Sequence, residues 1–183
     1  MILTKKTFRE KCLAKMKNST KHNKVYVNNI VNNKLKKQLK GISGKKILLY
    51  YPLPMEADIR KTILHLRKKN YLFIPFMENE SFKIVPFRLP LQKKKFGIYE
   101  AENSLKKIRN IDIAIVPVVG VDGNLQRVGF GKGMYDRFFE KLEKKPYTIF
   151  IQAEFCFTKE LLCDHFDVEG DMLLSAGKML IKR

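Results

Sequence analysis

Ile111-Asp112-Ile113-Ala114-Ile115-Val116 runs without a break into Pro117-Val118-Val119-Gly120-Val121-Asp122-Gly123-Asn124-Leu125-Gln126-Arg127-Val128-Gly129-Phe130-Gly131-Lys132-Gly133-Met134-Tyr135-Asp136-Arg137-Phe138. The first six residues are the clearest strand signal in the chain, a short apolar run ended by proline. From Gly133 to Leu142 the sequence reads as helix. A strand, a glycine-rich loop and a helix in that order form the unit of open α/β sheets, and the carboxyl end of such a strand is where those sheets bind ligands.

Outward from this unit, Lys46 to Tyr51, Tyr71 to Pro75 and Tyr147 to Gln152 are further apolar runs of strand type. Ser81 to Phe87 is a strand that Pro86 pushes to a sheet edge. Ala57 to Lys69 reads as helix through Ile59, Ile63, Leu64 and Leu66. At the start, Phe8, Cys12, Leu13 and Met16 predict a helix from Thr4 to about Lys17. Val27, Val31 and Leu35, widened by Ile30, predict a second from Asn23 to Lys40, stopped at Gly41. Phe8 and Tyr26 sit on these apolar stripes and are read as core. Arg88 to Glu100 is a loop containing Gly97, and Met172 to Ser175 with Lys178 to Ile181 predicts a hairpin around Ala176-Gly177. The fold class that follows is α/β: a three-layer sandwich around a mostly parallel open sheet, with a helical basic segment at 1–45 and a C-terminal hairpin. The 183 residues are expected to form a single domain over 1–183.

With 45% hydrophobic, 11% aromatic and 30% charged residues the chain is not a disordered polycation, yet it carries a formal charge of +19. In the first 46 residues 14 lysines and arginines face Glu10 alone, so +13 of that charge lies there. Such a segment attracts nucleic acid, a membrane surface, or a phosphorylated or polycarboxylate small molecule; it reads equally as lysines at solvated positions. Cys12, Cys156 and Cys163 make no C-x-x-C pair, and Cys163 with His165 is too small a cluster for zinc. The odd count, with a start that lacks an apolar leader, predicts reduced thiols in the cytoplasm. No stretch approaches the ~18 apolar residues of a membrane span. His22, His65 and His165 are read as surface residues.

Gly129, Gly131 and Gly133, flanked by Arg127 and Lys132, have the composition of a phosphate cradle. They form no Walker A loop, because Met134 stands where a Ser or Thr would hold a metal. The G-x-G-x-G spacing is no dinucleotide fingerprint either. Glycine spacing alone fits a tight strand-to-helix turn as well. Asp136, within a turn of the cradle, reads as a ligand for a bridging divalent cation or equally as a helix-dipole or ion-pair partner, with Arg137 nearby.

The run P-x-x-G-x-D-x-x-x-x-R-x-G-x-G-K-G-x-Y-D from Pro117 to Asp136 resembles the signature of the 5-formyltetrahydrofolate cyclo-ligase family, also called 5,10-methenyltetrahydrofolate synthetases. Lys5, Phe8 and Arg9 resemble its K-x-x-L-R nucleotide motif. Tyr51 and Glu56 resemble its Y-x-P-x-x-x-E-x-D segment, Phe96 to Glu100 its G-I-x-E, and Asp167 with Asp171 its D-x-x-x-D. The departures are Val118 for Gly, Val128 for Leu, Met134 for the first of two Tyr, and Cys156 where Gln is usual.

The resemblance implies that 5-formyltetrahydrofolate, with or without a polyglutamate tail, and ATP give 5,10-methenyltetrahydrofolate, ADP and phosphate. The formyl oxygen attacks the γ-phosphorus, the neighbouring nitrogen closes the ring, and phosphate leaves. It implies ATP contacts from Lys5, Lys6, Thr7, Phe8 and Arg9 and from Arg127, Val128, Gly129, Phe130, Gly131, Lys132, Gly133, Met134 and Tyr135. Tyr51, Glu56, Phe130, Gly131, Lys132, Gly133 and Met134 would face the folate. Arg127, Lys132 and Tyr135 would be catalytic, and Asp136 and Asp167 would bind Mg²⁺. A monomer without a nucleic-acid or membrane partner is expected. The alternatives are a nucleic-acid-binding basic module, which the +13 segment motivates, and a phosphotransferase acting on another small anion.

Overall fold

The computed structural model describes residues 3–78, 80–94, 99–104, 108 and 110–182, with the side chains of 19–22 left aside. Two helices open the chain, α1 (Lys5–His22) and α2 (Lys24–Gln38). Then come β1 (Lys46–Leu48), α3 (Arg60–Leu66), β2 (Tyr71–Glu78), β3 (Ser81–Pro86), and the short β4 (Gln92–Lys93) and β5 (Tyr99–Glu100). The second half holds β6 (Ile113–Pro117), β7 (Gly120–Val121), β8 (Arg127–Val128), α4 (Met134–Glu140), β9 (Tyr147–Ile151), β10 (Met172–Leu174) and β11 (Met179–Ile181).

The main sheet has seven strands in the order β11-β10-β9-β6-β1-β2-β3. Its middle pairings are parallel, while β3 and β11 join antiparallel at the two edges. Pro86 thus sits on an edge strand, where a missing N–H costs no ladder bond. The predicted C-terminal hairpin is β10–β11.

Strand alternation sorts the core into two layers. Ile47, Leu49, Ile74, Ile113, Ile115, Ile149 and Ile151 pack under Val31 and Leu35 of α2 and Ile63 and Leu66 of α3. Leu48, Phe73, Ala114, Val116, Phe150 and Leu173 point the other way, toward Phe138 of α4. Burial on both faces explains why these strands read as continuous apolar runs. A third cluster seats α1: Phe8, Cys12 and Met16 pack on Val119, Val128 and Cys156. Gly120 is required there, because a Cβ would lie 2.6 Å from the Phe8 ring.

Several expectations need correction. Cys12 and Cys156 are joined in a disulfide across 144 residues, leaving Cys163 as the free thiol, so the prediction of reduced thiols is overturned. Packing of α1 against the segment after β9 brings the pair together, which spacing along the chain does not reveal. Tyr26 is 68% exposed, not core; it lies about 140° around α2 from buried Val31 at ~100° per residue. Leu64 of α3 is exposed as well. The stretch read as an uninterrupted glycine-rich loop contains the β7–β8 hairpin, and the loop from Arg88 to Glu100 contains the β4–β5 pair. Phe96 to Ile98 of the G-I-x-E match and the His22 side chain lie outside the described residues.

Candidate active site

The chain leaves β1 toward β2 on one side, and β6 later adds to its other side. Ligands of open α/β sheets bind at such a switch point, at the carboxyl ends of the strands. A cavity of about 320 Å³ opens there, lined by Tyr50 and Tyr51 after β1, Ile74 and Pro75 of β2, and Pro117 of β6. Its other walls include Tyr99, Phe130, Met134 and Tyr135. The Tyr51 and Tyr99 rings lie 5.2 Å apart at 52°. Glu56 is the acid of this cavity. It is 7% exposed and accepts the Leu53 N–H at 2.8 Å. Burial pushes its carboxyl up to about 7, opposed by that N–H and by the nearby charge of Arg127. Burial likewise raises the Tyr135 hydroxyl well above its ordinary value.

A second cavity of about 430 Å³ lies alongside, lined by Lys5, Arg9, Arg127, Arg137, three glycines, Asp136 and Asp167. Lys5 and Arg9 share one face of α1, four residues apart. The Arg9 Nε donates to the Gly129 carbonyl at 2.8 Å, and Lys5 Nζ to the Asp167 carboxylate. Burial, the largest single influence, works against the Lys5 charge, but its donation to Asp167 and the negative charges of Asp167 and Asp164 together outweigh it and the ammonium is held more firmly protonated. Gly131 and Gly133 take φ of +100° and +59°, which a side chain resists. Arg137 pins this loop by donating to the carbonyls of Glu80 at 2.9 Å and Lys132 at 2.6 Å.

Arg127 and Gly133 line both cavities. Arg127 Nε donates to the Pro117 carbonyl at 3.3 Å, Nη1 lies 3.5 Å from Asp136 Oδ2, and the guanidinium covers the Tyr135 ring at 4.9 Å. A Cβ on Gly129 would come within 2.5 Å of that guanidinium, so the motif glycine makes room for the motif arginine. Asp136 therefore pairs with Arg127 rather than with its neighbour Arg137, and its Oδ1 also accepts the Val168 N–H at 3.2 Å.

Most of the predicted residues converge on these two cavities. Tyr51, Glu56, Phe130, Lys132, Met134 and Tyr135 line the first, and Lys5, Arg9, Gly129, Gly131, Asp136 and Asp167 the second. Lys6, Thr7, Phe8 and Val128 line neither: Lys6 and Thr7 lie on the exposed side of α1, while Phe8 and Val128 are core. Gly131, predicted to face the folate too, lines only the second cavity. The sequence reading passed over Asp122, a fully buried carboxylate that accepts the N–H groups of Asn124, Gln126, Leu162 and Cys163. It fastens the loop after β7 to the segment that carries Asp167. The G-x-D in the motif was its available signal. Tyr99 and Phe166 were also missed, since only tertiary contacts bring them to the cavities.

Fold and site together define an α/β protein in which a glycine-rich anion cradle adjoins an aromatic pocket at a sheet switch point. The chain belongs to the 5-formyltetrahydrofolate cyclo-ligase family, whose pattern it matches over residues 2–176. It is 27% identical over 136 residues to a 5-formyltetrahydrofolate cyclo-ligase of Haemophilus influenzae, covering 68% of this chain and 72% of that one. The solution structure of Aquifex aeolicus 5,10-methenyltetrahydrofolate synthetase superposes with a TM-score of 0.77 at 25% identity, covering 98% of this chain and 93% of the other. The Mycoplasma pneumoniae 5,10-methenyltetrahydrofolate synthetase shares the fold, with a TM-score of 0.74 at 23% identity over 95% and 99% of the two chains.

Proposed function

We propose that this chain is an ATP- and Mg²⁺-dependent ligase that closes 5-formyltetrahydrofolate to 5,10-methenyltetrahydrofolate with release of ADP and phosphate. The observation that carries this reading is Arg127, a buried cation lining both the aromatic and the cationic cavity. Phosphoryl transfer between two bound substrates asks for positive charge where they meet. Held by Pro117, Asp136 and the Tyr135 ring, Arg127 has its position set in advance. The formyl oxygen, in the aromatic cavity, attacks the γ-phosphorus and displaces ADP; the neighbouring nitrogen then attacks the formyl carbon, and the oxygen leaves with the phosphate. Glu56 orients the pterin by accepting its N–H groups. Lys5 and Arg9 bind the polyphosphate, and Lys132, on the wall of the aromatic cavity, serves its γ end.

Asp136 and Asp167 would hold the Mg²⁺. Two carboxylates in a cavity otherwise rich in cations supply the hard oxygen donors that a divalent ion such as Mg²⁺ would take. When bound, the ion neutralises charge on the transferring phosphoryl group. One domain over 1–183 and a monomeric state belong to the same reading; the Cys12–Cys156 disulfide removes the thiol argument for the cytoplasm, and among the described residues no helix is long and apolar enough to cross a membrane.

The N-terminal charge supports a role within the molecule more than nucleic-acid binding. Lys5 and Arg9 serve the cationic cavity, Lys24 Nζ donates to the Pro54 carbonyl at 3.0 Å, and Lys34 Nζ to the Ala176 carbonyl at 2.7 Å. The test is direct: purified protein with ATP, Mg²⁺ and 5-formyltetrahydrofolate should give a product with methenyl-type near-ultraviolet absorbance. No product under these conditions would overturn the reading.

A further inference from the structure

Among the described side chains of α1, the buried ones are Phe8, Cys12 and Met16. Four residues apart, they form a single line that rests on Val119, Val128 and Cys156. That is a narrow seat for a helix of 18 residues, and its middle contact is the covalent one, the Cys12–Cys156 bridge. The seat is also close, since a Cβ on Gly120 would lie 2.9 Å from Cys12 Sγ.

The two halves of the bridge belong to different parts of the molecule. Cys156 is fixed to the body: its N–H donates to Gln152 Oε1 at 3.0 Å, and its carbonyl accepts Gln152 Nε2 at 2.9 Å and the Val121 N–H at 3.1 Å. Cys12 rides on the helix that carries Lys5 and Arg9 to the cationic cavity, within two turns of both. The bond joins positions 144 residues apart, so it removes much of the freedom that an undocked α1 would regain. Cys12 and Cys156 are 0% and 2% exposed, and a reductant reaches them only when α1 lifts. The free thiol, Cys163, packs on the same cluster, but burial and then the charge of Asp122 keep it protonated and a poor partner for exchange.

Building on the nucleotide reading above, we propose that the Cys12–Cys156 bridge is a redox-sensitive clamp on anion binding. Closed, it holds Lys5 and Arg9 at the cationic cavity; opened by a dithiol, it frees α1 and weakens the hold on polyphosphate. A reductant thiolate attacks one sulfur of the bridge and releases the other as a thiolate. The second reductant thiolate then attacks the mixed disulfide and releases the first. The protein gains two electrons and two protons, and the reductant leaves as a cyclic disulfide. Coupling runs both ways, because an anion held between α1 and the glycine-rich loop keeps the helix down and shields the bridge.

Reduction of the folded protein by dithiothreitol, followed by alkylation and mass spectrometry of the Cys12 and Cys156 peptides, tests the clamp with inorganic tripolyphosphate as the probe. At about ten times its Kd, tripolyphosphate should slow reduction about tenfold, since only the lifted, unliganded state is attacked. By calorimetry, ATP and tripolyphosphate should each bind about tenfold more weakly to reduced wild type and to Cys12→Ala, the scale of one charged hydrogen bond. Affinity for 5-formyltetrahydrofolate should hold, because α1 lines no part of the aromatic cavity. Reoxidation should restore the wild type and leave Cys12→Ala unchanged, and should that variant fail to fold, the reduced and reoxidised wild type decides alone. Unaltered tripolyphosphate affinity on reduction, or a reduction rate indifferent to tripolyphosphate, overturns the clamp. So does an equal loss of folate binding, which would mark general loosening, and so does a bridge missing from air-oxidised protein. Bridged wild type that binds neither ATP nor tripolyphosphate fails at the nucleotide reading, a separate result that takes the clamp with it.

Discussion

Glu56 and Asp167 are buried alike, each 7% exposed, on opposite sides of Arg127. Their surroundings differ. Asp167 accepts from the Lys5 ammonium and from the Asp164 N–H at 2.7 Å, so its charge is matched within the site. Glu56 has the Leu53 N–H as its hydrogen-bond donor and only the more distant charge of Arg127. Desolvation therefore dominates, and its carboxyl titrates near neutrality. One cavity works by shape and a tunable acid, the other by a network of paired charges whose partners are exchangeable for phosphate.

The largest effect is expected where the two regions meet. Arg127→Lys keeps a charge but loses the fork that reaches Pro117 and Asp136. Turnover should fall at least about 100-fold, the order seen when a transition-state donor is lost. Initial rates with each substrate varied should show both KM values rising; a change confined to one would break the picture of a shared cation.

Asp136→Asn acts first on the charged side and reaches the other only through its pairing with Arg127. Turnover about 10- to 100-fold lower is expected, with a higher Mg²⁺ requirement and a smaller change in the folate KM than Arg127→Lys gives. Wild-type rates at limiting Mg²⁺ would remove the metal role.

Glu56→Gln acts on the other side, raising the folate KM about tenfold and leaving ATP affinity alone, the scale of one charged hydrogen bond. Because the carboxyl titrates at about 7, folate affinity in the wild type should fall as pH drops from 8 to 6, and the Gln variant should flatten that profile. The groups facing Glu56 are Tyr50, Tyr135 and Arg127, and the two tyrosine hydroxyls are held far above this window.

The same group shapes stability. Its folded value of about 7 exceeds its ordinary 4.5, so between those values the folded protein binds more protons than the unfolded chain. Stability therefore declines as pH rises through this window, by at most about 3 kcal/mol. Thermal melts from pH 4.5 to 7.5 should show the decline in wild type and less of it in Glu56→Gln. Smallest of all, exposed Tyr26→Ser should leave turnover unchanged and stability within about 0.5 kcal/mol. A larger loss would show that the basic face of α2 does more than hold neighbouring loops.

Those loops explain why the Asn- and Lys-rich start resisted interpretation. Asn32 is buried, donates to the carbonyls of Asn28 and Asp58, and accepts from the N–H and hydroxyl of Thr62. Asn28 in turn accepts the Asp58 N–H at 2.9 Å. These asparagines fasten the segment carrying Glu56, yet in one dimension they resemble solvated positions, because their partners beyond α2 lie 26 to 30 residues away in a stretch of different character.

Local pattern by itself determined the strands of the parallel sheet, the edge position forced by Pro86, the C-terminal hairpin and the glycine-rich loop with its arginine, because backbone geometry and burial on both sheet faces leave short-range marks. The long motif likewise identified the family. Tertiary structure alone decided that Asp136 pairs with Arg127, that Asp122 gathers four N–H groups, that Cys12 meets Cys156, and that the aromatic and cationic cavities adjoin at Arg127 and Gly133. Each of these depends on segments far apart in the chain coming within a few ångströms, and their charges and burial exist only once the sheet has brought them together.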